Sequence, residues 1–231
     1  METLWLFDID GTLVNINPVH IAAYKNLYKD FLHVDVPKEL IVSTFGMSET
    51  DMHQVIFRAI SKPYDKTLVN RILKNHPLYF KNALKNTSVL PLPGVLKFLN
   101  QLKNKHQHIG IVTGNLKKNA ELILERSNLK KYFSFLATDN GHLERWQIVR
   151  NGIKKASSLK YNYDAIVVIG DTDKDIAAAR KAAAVTKKRI IATAVATGTC
   201  SFAFLKKHKP DALLKTMKEY EKIIEYVSSS V

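Results

Sequence analysis

Beyond Gly94, short apolar segments alternate with longer segments whose apolar residues recur at every third or fourth position. The strongest apolar segment, residues 165–169 (Ala-Ile-Val-Val-Ile), predicts a strand that is buried on both faces. Strands and helices that alternate at this spacing form a parallel sheet with helices packed on both of its faces. The alternation therefore predicts an α/β fold.

The same patterns give approximate bounds for the elements. Strands are expected at residues 4–7, 108–112, 135–137, 165–169 and 190–195. Helices are expected in this part of the chain at residues 95–102, 116–126, 146–158, 173–183, 202–207 and 214–226.

The stretch from about residue 18 to residue 84 has a helical pattern throughout, and no strand is predicted there. Pro37, Pro63 and Pro77 are expected to separate successive helices. The predicted organisation is a Rossmann-like core of residues 1–14 and 88–231, interrupted by an all-helical cap of residues 15–87. A cap of this size suits a lid over the core.

The chain is strongly basic, with 35 lysines and arginines against 21 aspartates and glutamates and a formal net charge of +14. Such an excess favours anionic partners, whether nucleic acid, membrane surfaces or phosphorylated metabolites. The basic pairs are scattered and do not alternate with aromatic residues, as they do on single-strand-binding surfaces. We interpret them as a solvated lysine-rich surface and expect no nucleic-acid partner.

Several features predict a cytoplasmic protein without a membrane partner. The apolar runs are much shorter than the roughly 18–20 residues that span a bilayer. The first residues lack the basic region of a signal peptide. The single cysteine, Cys200, cannot form an internal disulfide.

Polar residues follow three of the predicted strands directly. Asp8 and Asp10 follow the first, Thr113–Asn115 follow the second, and Asp171–Asp175 follow the strongest. Ligands of parallel sheets bind beyond the carboxyl ends of the strands, so these side chains are expected at one edge. Crowded carboxylates are costly unless a cation lies among them, and oxygen-rich sites suit Mg²⁺.

Three motifs in this order resemble those of the haloacid dehalogenase superfamily: Asp8-x-Asp10-Gly11-Thr12, Thr113-Gly114-Asn115 and Gly170-Asp171-Thr172-x-x-Asp175. More narrowly, the chain is similar to phosphoglycolate-phosphatase-like phosphatases with a helical cap after the first motif. The resemblance covers essentially the full length. It implies Mg²⁺-dependent hydrolysis of a small phosphorylated metabolite through an aspartyl-phosphate intermediate.

The resemblance also implies roles for the four carboxylates. Asp8 would be the nucleophile. Asp10 would protonate the leaving alcohol and later take a proton from water. Asp171 would bind Mg²⁺ together with the Asp8 carboxylate and the Asp10 main-chain carbonyl. Asp175 would either hold the water shell of the metal or anchor the basic group of the site.

The second motif is expected to bind phosphate. Thr113 would donate a hydrogen bond to a phosphoryl oxygen, and the backbone amides of Gly114 and Asn115 would assist at the start of a helix. A simple helix cap is the alternative. Asp173, within the third motif, is interpreted as the N-cap of the following helix, with a direct role in metal binding as the alternative.

The basic residue of the site departs from the common family pattern. No Gly-Lys-Pro lies between Phe135 and Ala156. The best match is Arg145, just before a predicted helix, where it would neutralise phosphoryl oxygens. Arg150 and Lys154 are the alternatives.

Cap residues carry a weaker signal. Asn15, His20 and the loop Phe45–Ser48 are candidates for facing the substrate, but we favour a satisfied surface histidine and an ordinary turn between helices.

Two other functions remain open at this stage. A phosphosugar mutase would use the same Asp8 and Asp10. A non-catalytic anion- or nucleic-acid-binding protein that has kept the fold is the second alternative, although all the expected acidic residues are present.

Overall fold

A computed structural model describes residues 2–229, and within them a six-stranded parallel sheet forms the centre of the fold. The strands lie in the order β3-β2-β1-β4-β5-β6. Their bounds are β1 (Thr3–Phe7), β2 (His108–Leu116), β3 (Phe135–Asp139), β4 (Ala165–Gly170), β5 (Ile190–Val195) and β6 (Ala212–Leu214).

The described residues also form ten helices and two short 3₁₀ turns, at Lys130–Tyr132 and Met217–Glu219. The helices are α1 (Asn17–Leu32), α2 (Lys38–Ser43), α3 (Glu49–Ala59), α4 (Lys66–Leu84), α5 (Val95–Asn104), α6 (Lys117–Arg126), α7 (Arg145–Ser158), α8 (Asp173–Thr186), α9 (Phe202–Lys207) and α10 (Glu221–Ser229).

Helices cover both faces of the sheet because successive side chains of each strand point to opposite faces. Phe7 of β1 packs with Phe98 of α5 in one apolar cluster, to which α6 and α10 also contribute. Leu6, one residue earlier, packs with Ile153 of α7 in a second cluster that includes residues of α8 and α9. The predicted fold class is confirmed.

Helices α1–α4 all lie between β1 and α5 in the chain and share a third apolar cluster. Tyr28 of α1, Phe57 of α3 and Ile72 of α4 are among its fully buried members. The start of α1 and the end of α4 contribute Val19 and Leu84 to a core cluster instead. These two helices therefore join the cap to the core, and the domain bounds at residues 15 and 87 stay a proposal.

The chain enters and leaves the cap at neighbouring points. Val14 and Pro91 form an antiparallel bridge, and the Leu92 backbone N–H donates to the Leu13 carbonyl at 2.8 Å. Next to them, Gly11 donates its N–H to the Val14 carbonyl at 2.8 Å. The backbone on both sides of the cap is thereby fixed to the loop that follows β1.

The predicted helix at residues 214–226 is wrong in its first half. Ala212–Leu214 is the edge strand β6, which pairs with β5, and α10 begins only at Glu221. Between β6 and α10, Thr216 accepts a hydrogen bond from the Lys218 backbone N–H and starts the 3₁₀ turn Met217–Glu219. A three-residue strand is too short for its period to be distinguished from that of a helix.

Two further bounds differ from the prediction. Pro77 does not separate helices but lies inside α4, which continues because His76 and Phe80 on either side of it are buried. Strand β2 extends to Leu116 with an irregular register after Thr113, so α6 begins at Lys117. Within residues 2–229, no helix is long and apolar enough to cross a membrane.

Candidate active site

One pocket opens at the carboxyl edge of the sheet, where the segments that follow β1 and β4 meet the end of β2. It holds about 680 Å³ of space, its open mouth included, and cap residues form its opposite wall. Seven of the eight predicted site residues line it: Asp8, Asp10, Thr113, Gly114, Asn115, Arg145 and Asp171. The eighth, Asp175, contacts Arg145.

Arg145 is the first residue of α7, and its guanidinium holds two carboxylates. Its Nη2 lies 2.8 Å from Asp8 Oδ1 and 2.7 Å from Asp175 Oδ1, and its Nε donates to Asp175 Oδ1 at 2.9 Å. None of these contacts uses Nη1. The alternatives Arg150 and Lys154 are not among the described residues that line the pocket.

Gly114 leaves room for that guanidinium. A Cβ atom at this position would lie 2.7 Å from Arg145 Nη1, which is too close for a real contact. A side chain here would therefore press on this guanidinium, which is paired with Asp8 and Asp175. The glycine of the motif thus leaves space for the arginine.

Asp171, directly after β4, is enclosed by two glycines. Cβ atoms at Gly11 and Gly198 would both clash with the Asp171 carboxylate, and Gly11 has a φ of +71°. The Thr199 backbone N–H donates to Asp171 Oδ2 at 3.3 Å. The loop that follows β5 thus completes the site. Its sequence did not indicate this role, because a single Gly-Thr pair is not a specific signal.

Asp10 is oriented by the end of β2. The Asn115 side chain donates to Asp10 Oδ2 at 2.5 Å and to Thr113 Oγ1 at 3.0 Å. His20 of α1 approaches from the cap, with its Nε2 3.4 Å from Asp10 Oδ2. Asp10 Oδ1 is buried without a hydrogen-bond partner among the described residues.

Burial dominates the electrostatics of this edge. It raises the pKa of Asp8 to about 7, against the opposing effect of Arg145. It also raises the pKa of Asp171, and the charge of Asp175 adds to this effect. Burial would lower the pKa of Arg145, but Asp175 and Asp8 outweigh it and hold that pKa above its usual value.

The acidic residues fit a divalent cation. Asp8, Asp171 and Asp175 are buried, and each offers an oxygen within 4.8 Å of the others. Both oxygens of Asp175 already accept hydrogen bonds, from Arg145 on one side and from the Thr172 hydroxyl at 2.7 Å on the other. The geometry therefore favours Asp175 as the anchor of Arg145, and Asp8 and Asp171 as the side-chain ligands.

Cap residues form the wall opposite these carboxylates. Those that line the pocket are Asn17, His20, Tyr24, Thr44, Phe45, Gly46, Met47, Glu49 and Met52. The Tyr24 hydroxyl donates to Glu49 Oε1 at 2.7 Å, and its ring stacks on His76 with centroids 4.4 Å apart. Lys174 of α8 donates to the Phe45 carbonyl at 2.8 Å and so connects the core to this loop.

Four sequence-based interpretations need correction. The turn at residues 45–48 is more than a connection between helices, because Phe45 and Met47 line the pocket. His20 is buried rather than at the surface, because the rings of Phe45 and Phe80 pack against it. Thr172, not Asp173, is the N-cap of α8, since the Thr172 Oγ1 accepts from the Asp175 backbone N–H. The amide of Asn115 does not lie at a helix start, because β2 continues past it, and this amide donates to Thr113 Oγ1 at 3.3 Å.

Five cap residues that line the pocket were not predicted as site residues: Asn17, Tyr24, Thr44, Glu49 and Met52. Tyr24 and Glu49 are joined by a hydrogen bond. Their hydroxyl and carboxylate groups meet across two helices, α1 and α3, so nothing in their local sequence indicates the contact. Asn15, by contrast, is exposed and does not line the pocket.

A family model for haloacid dehalogenase-like hydrolases matches residues 5–187. The chain therefore belongs to the haloacid dehalogenase-like hydrolase family, a family of enzymes, and the predicted membership is confirmed.

Relatives cover almost the whole chain at modest identity. The phosphoglycolate phosphatase of Synechococcus elongatus is 25% identical over 211 residues, which are 91% of this chain and 92% of that relative. The pyrophosphatase PpaX of Bacillus cereus is 24% identical over 226 residues, 97% of each chain.

Solved structures show the same fold. The β-phosphoglucomutase of Clostridium difficile matches with a TM-score of 0.80 and 20% identity, over 100% of this chain and 99% of that one. A hydrolase from Pseudomonas syringae matches with a TM-score of 0.77 and 19% identity, over 99% of both chains.

Proposed function

We propose that this protein is a Mg²⁺-dependent phosphomonoester hydrolase that acts on a small phosphorylated metabolite through an aspartyl-phosphate intermediate. One observation carries the proposal: the Asp8 carboxylate lies 2.8 Å from the Arg145 guanidinium in a pocket that Asp10 and Asp171 also line. Relatives named phosphatase and pyrophosphatase support this reaction class.

Asp8 is the proposed nucleophile because, of the carboxylates that line the pocket, it is the one paired with Arg145, and it lies close to Asp171 and Asp175. Its oxygen forms a bond to phosphorus while the ester bond to the leaving alcohol breaks. Asp10 gives a proton to that alcohol. A water molecule then attacks the phosphorus of the intermediate, Asp10 takes its proton, and free Asp8 and inorganic phosphate result.

Asn115 prepares Asp10 for these two proton transfers by fixing one of its oxygens. The bond from Asn115 holds Oδ2 in place, and the carboxyl group of Asp10, which lines the pocket, is left to exchange a proton with the substrate. A carboxylate held in one orientation loses little entropy when the reacting groups align.

Arg145 and the end of β2 would bind the phosphoryl oxygens. Nη1 faces Gly114 and takes part in no contact with Asp8 or Asp175, so its two N–H groups are placed for an anion. Thr113 Oγ1 accepts from Asn115, which leaves its own hydrogen to donate. Phosphoryl transfer depends mainly on such positioning and charge stabilisation.

Mg²⁺ would be held by the carboxylates of Asp8 and Asp171 and by the Asp10 main-chain carbonyl. Carboxylate and carbonyl oxygens are the ligands that this hard cation prefers. When bound, it supplies positive charge that stabilises the negative phosphoryl oxygens. The raised pKa values of Asp8 and Asp171 support the need for positive charge here.

The cap, which forms the wall of the pocket opposite the carboxylates, favours a substrate of metabolite size. We propose residues 15–87 as a lid that excludes bulk water during turnover. A cytoplasmic location accords with such a substrate.

Asp8→Asn tests the nucleophile. We expect it to lower turnover of an aryl phosphate, measured as phosphate release with Mg²⁺, by at least about 1,000-fold. The fold should be retained in the circular dichroism spectrum, because asparagine keeps the shape of the side chain. Asp35→Asn, at an exposed residue paired with Lys25, is the matched control. Turnover by the Asp8 variant within 10-fold of the unmodified enzyme would exclude this mechanism.

A further inference from the structure

The cap wall of the pocket contains one buried carboxylate that the proposed chemistry does not use. Glu49, the first residue of α3, lines the pocket and is 8% exposed. Its Oε1 accepts the hydrogen bond from the Tyr24 hydroxyl at 2.7 Å. Its Oε2 is buried and accepts no hydrogen bond from the described residues. His53 Nε2 is 3.6 Å away, beyond hydrogen-bond distance.

A buried carboxylate oxygen without a partner costs free energy, and a ligand that donates to it recovers that cost. Among the pocket residues of the cap, Tyr24 already donates to Oε1, and Phe45, Met47 and Met52 offer no side-chain donor. Asn17, His20 and Thr44 carry donors, but none of them has a hydrogen bond to Oε2. Because Glu49 lines the pocket, a substrate with a donor group can supply the partner that Oε2 lacks.

We infer that Glu49 selects phosphate esters whose alcohol portion carries a hydrogen-bond donor, a hydroxyl or an ammonium group, and rejects esters that carry a carboxylate. This inference rests on the proposed phosphatase function. The phosphoryl group would lie at the Asp8 end of the pocket, and the alcohol portion would extend toward α3.

The charge of the pocket supports the same selection. Its described lining includes four carboxylates, Asp8, Asp10, Asp171 and Glu49, but Arg145 is its only lysine or arginine. Arg145 lies at the Asp8 end, and Lys174, bonded to the Phe45 carbonyl, is not a lining residue. A substrate carboxylate at the cap end would therefore meet a like charge without a compensating cation, which disfavours binding.

Burial raises the pKa of Glu49 to about 7, with the Tyr24 hydrogen bond opposing this effect. Above that pH the side chain is a carboxylate, which can only accept hydrogen bonds. The selection is therefore best measured at pH 8.

The experiment compares kcat/KM at pH 8 with Mg²⁺ for three small esters: phosphoethanolamine with an ammonium group, glycerol 3-phosphate with hydroxyls, and phosphoglycolate with a carboxylate. We expect at least one of the two donor esters to exceed phosphoglycolate by about 10-fold or more. The better of the two identifies which donor Glu49 receives. A preference for phosphoglycolate would overturn the inference, and this comparison requires no variant.

Glu49→Gln sharpens the assignment because the amide keeps an acceptor for Tyr24 and removes the charge. We expect the ratio of donor ester to phosphoglycolate to fall by about 10-fold or more, since hydrogen bonds to charged groups are the strong ones. Glu39→Gln, the same change at an exposed residue of α2, is the control and should keep the ratio. A ratio that changes less than about 3-fold in Glu49→Gln would contradict a role for this residue.

Turnover of an aryl phosphate shows whether a negative result concerns the phosphatase function or only the selection by Glu49. If its turnover depends on Asp8 but the ester ratio does not depend on Glu49, only the selection by Glu49 is wrong. If no turnover depends on Asp8, the phosphatase function fails and the selection fails with it.

Discussion

Two buried polar clusters face each other across the pocket, and they accommodate burial in opposite ways. The edge cluster, Asp8, Asp171 and Asp175 with Arg145, combines three carboxylates with one guanidinium. The cap cluster consists of Tyr24, Tyr28, Glu49, His53 and His76. Its described hydrogen bonds join Tyr24 to Glu49 and Tyr28 to His53, and the neutral amide of Asn119 to His76.

The pKa shifts express this difference. In the cap cluster, burial raises the pKa of Glu49 to about 7 and lowers that of His53 to about 4, so both groups tend toward their neutral forms. In the edge cluster, Asp8 and Asp171 also have raised pKa values, but Arg145 keeps its charge. The edge cluster thus keeps a positive charge among its carboxylates, whereas Glu49 and His53 of the cap cluster are both mostly neutral between about pH 4 and pH 7.

Arg145→Met should have the largest effect. It leaves Asp8 and Asp175 without their cation, and breaking a buried ion pair in this way costs about 3 kcal/mol in the free energy of unfolding. Aryl phosphate turnover should fall by about 1,000-fold, because the phosphoryl oxygens lose their guanidinium. Urea unfolding and initial rates measure the two effects.

The matched control is Arg180→Met. Arg180 of α8 is half exposed and pairs with Asp211 at 3.3 Å, so its loss should cost less than about 1 kcal/mol. Equal losses of stability in the two variants would show that the edge cluster does not depend on Arg145 for its charge balance.

Glu49→Gln should change the pH dependence of stability. The pKa of Glu49 is about 7 in the folded protein, against its ordinary 4.5, so the folded state holds its proton to higher pH than the unfolded state does. Its contribution therefore lowers the free energy of unfolding as pH rises from about 4.5 to about 7. The loss is up to about 3 kcal/mol and is constant above that range.

The variant lacks this loss, so its stability relative to the unmodified protein should increase over the same pH range. Urea unfolding at pH 5 and pH 8 measures the difference. His53, whose lowered pKa acts in the opposite direction, is present in both proteins and cancels. Parallel pH profiles for the two proteins would mean that Glu49 titrates normally and that the cap cluster tolerates its charge.

The smallest of these effects on stability is expected from Mg²⁺, which should bind at the edge cluster and not at the cap cluster. At ten times its dissociation constant, a ligand of the folded state raises the free energy of unfolding by about 1.4 kcal/mol, a shift of several degrees in Tm for a chain of this size. Asp171→Asn should abolish the shift and Glu49→Gln should keep it. A shift that survives in Asp171→Asn would place the cation elsewhere.

The sequence allowed a close prediction of the edge cluster but not of the cap cluster, for a physical reason. Asp8 and Asp171 each follow an apolar strand directly, so a parallel sheet brings them together whatever the details of packing. Tyr24 and Glu49 meet only because the fold of the cap brings a side chain of α1 next to one of α3. Short local patterns carry no information about such an arrangement.

The same limit explains the errors at the ends of elements. The edge strand β6 exists because the β5 backbone provides partners for Ala212–Leu214, not because its three residues favour a strand. Helix α4 passes Pro77 because buried neighbours outweigh the loss of one backbone hydrogen bond. In both cases tertiary contacts decide against local preference.

The bridge between Val14 and Pro91 has a consequence for how this chain can vary over evolutionary time. Because the two ends of the inserted segment are held side by side, the residues between them form a closed loop. The length of this loop can change without moving the strands of the sheet. The entropic cost of closing a longer loop rises only slowly, by about 0.6 kcal/mol for each doubling of its length. The inserted segment can therefore be replaced by a shorter or longer one, which would give the pocket a different cap while the residues at the edge of the sheet stay the same.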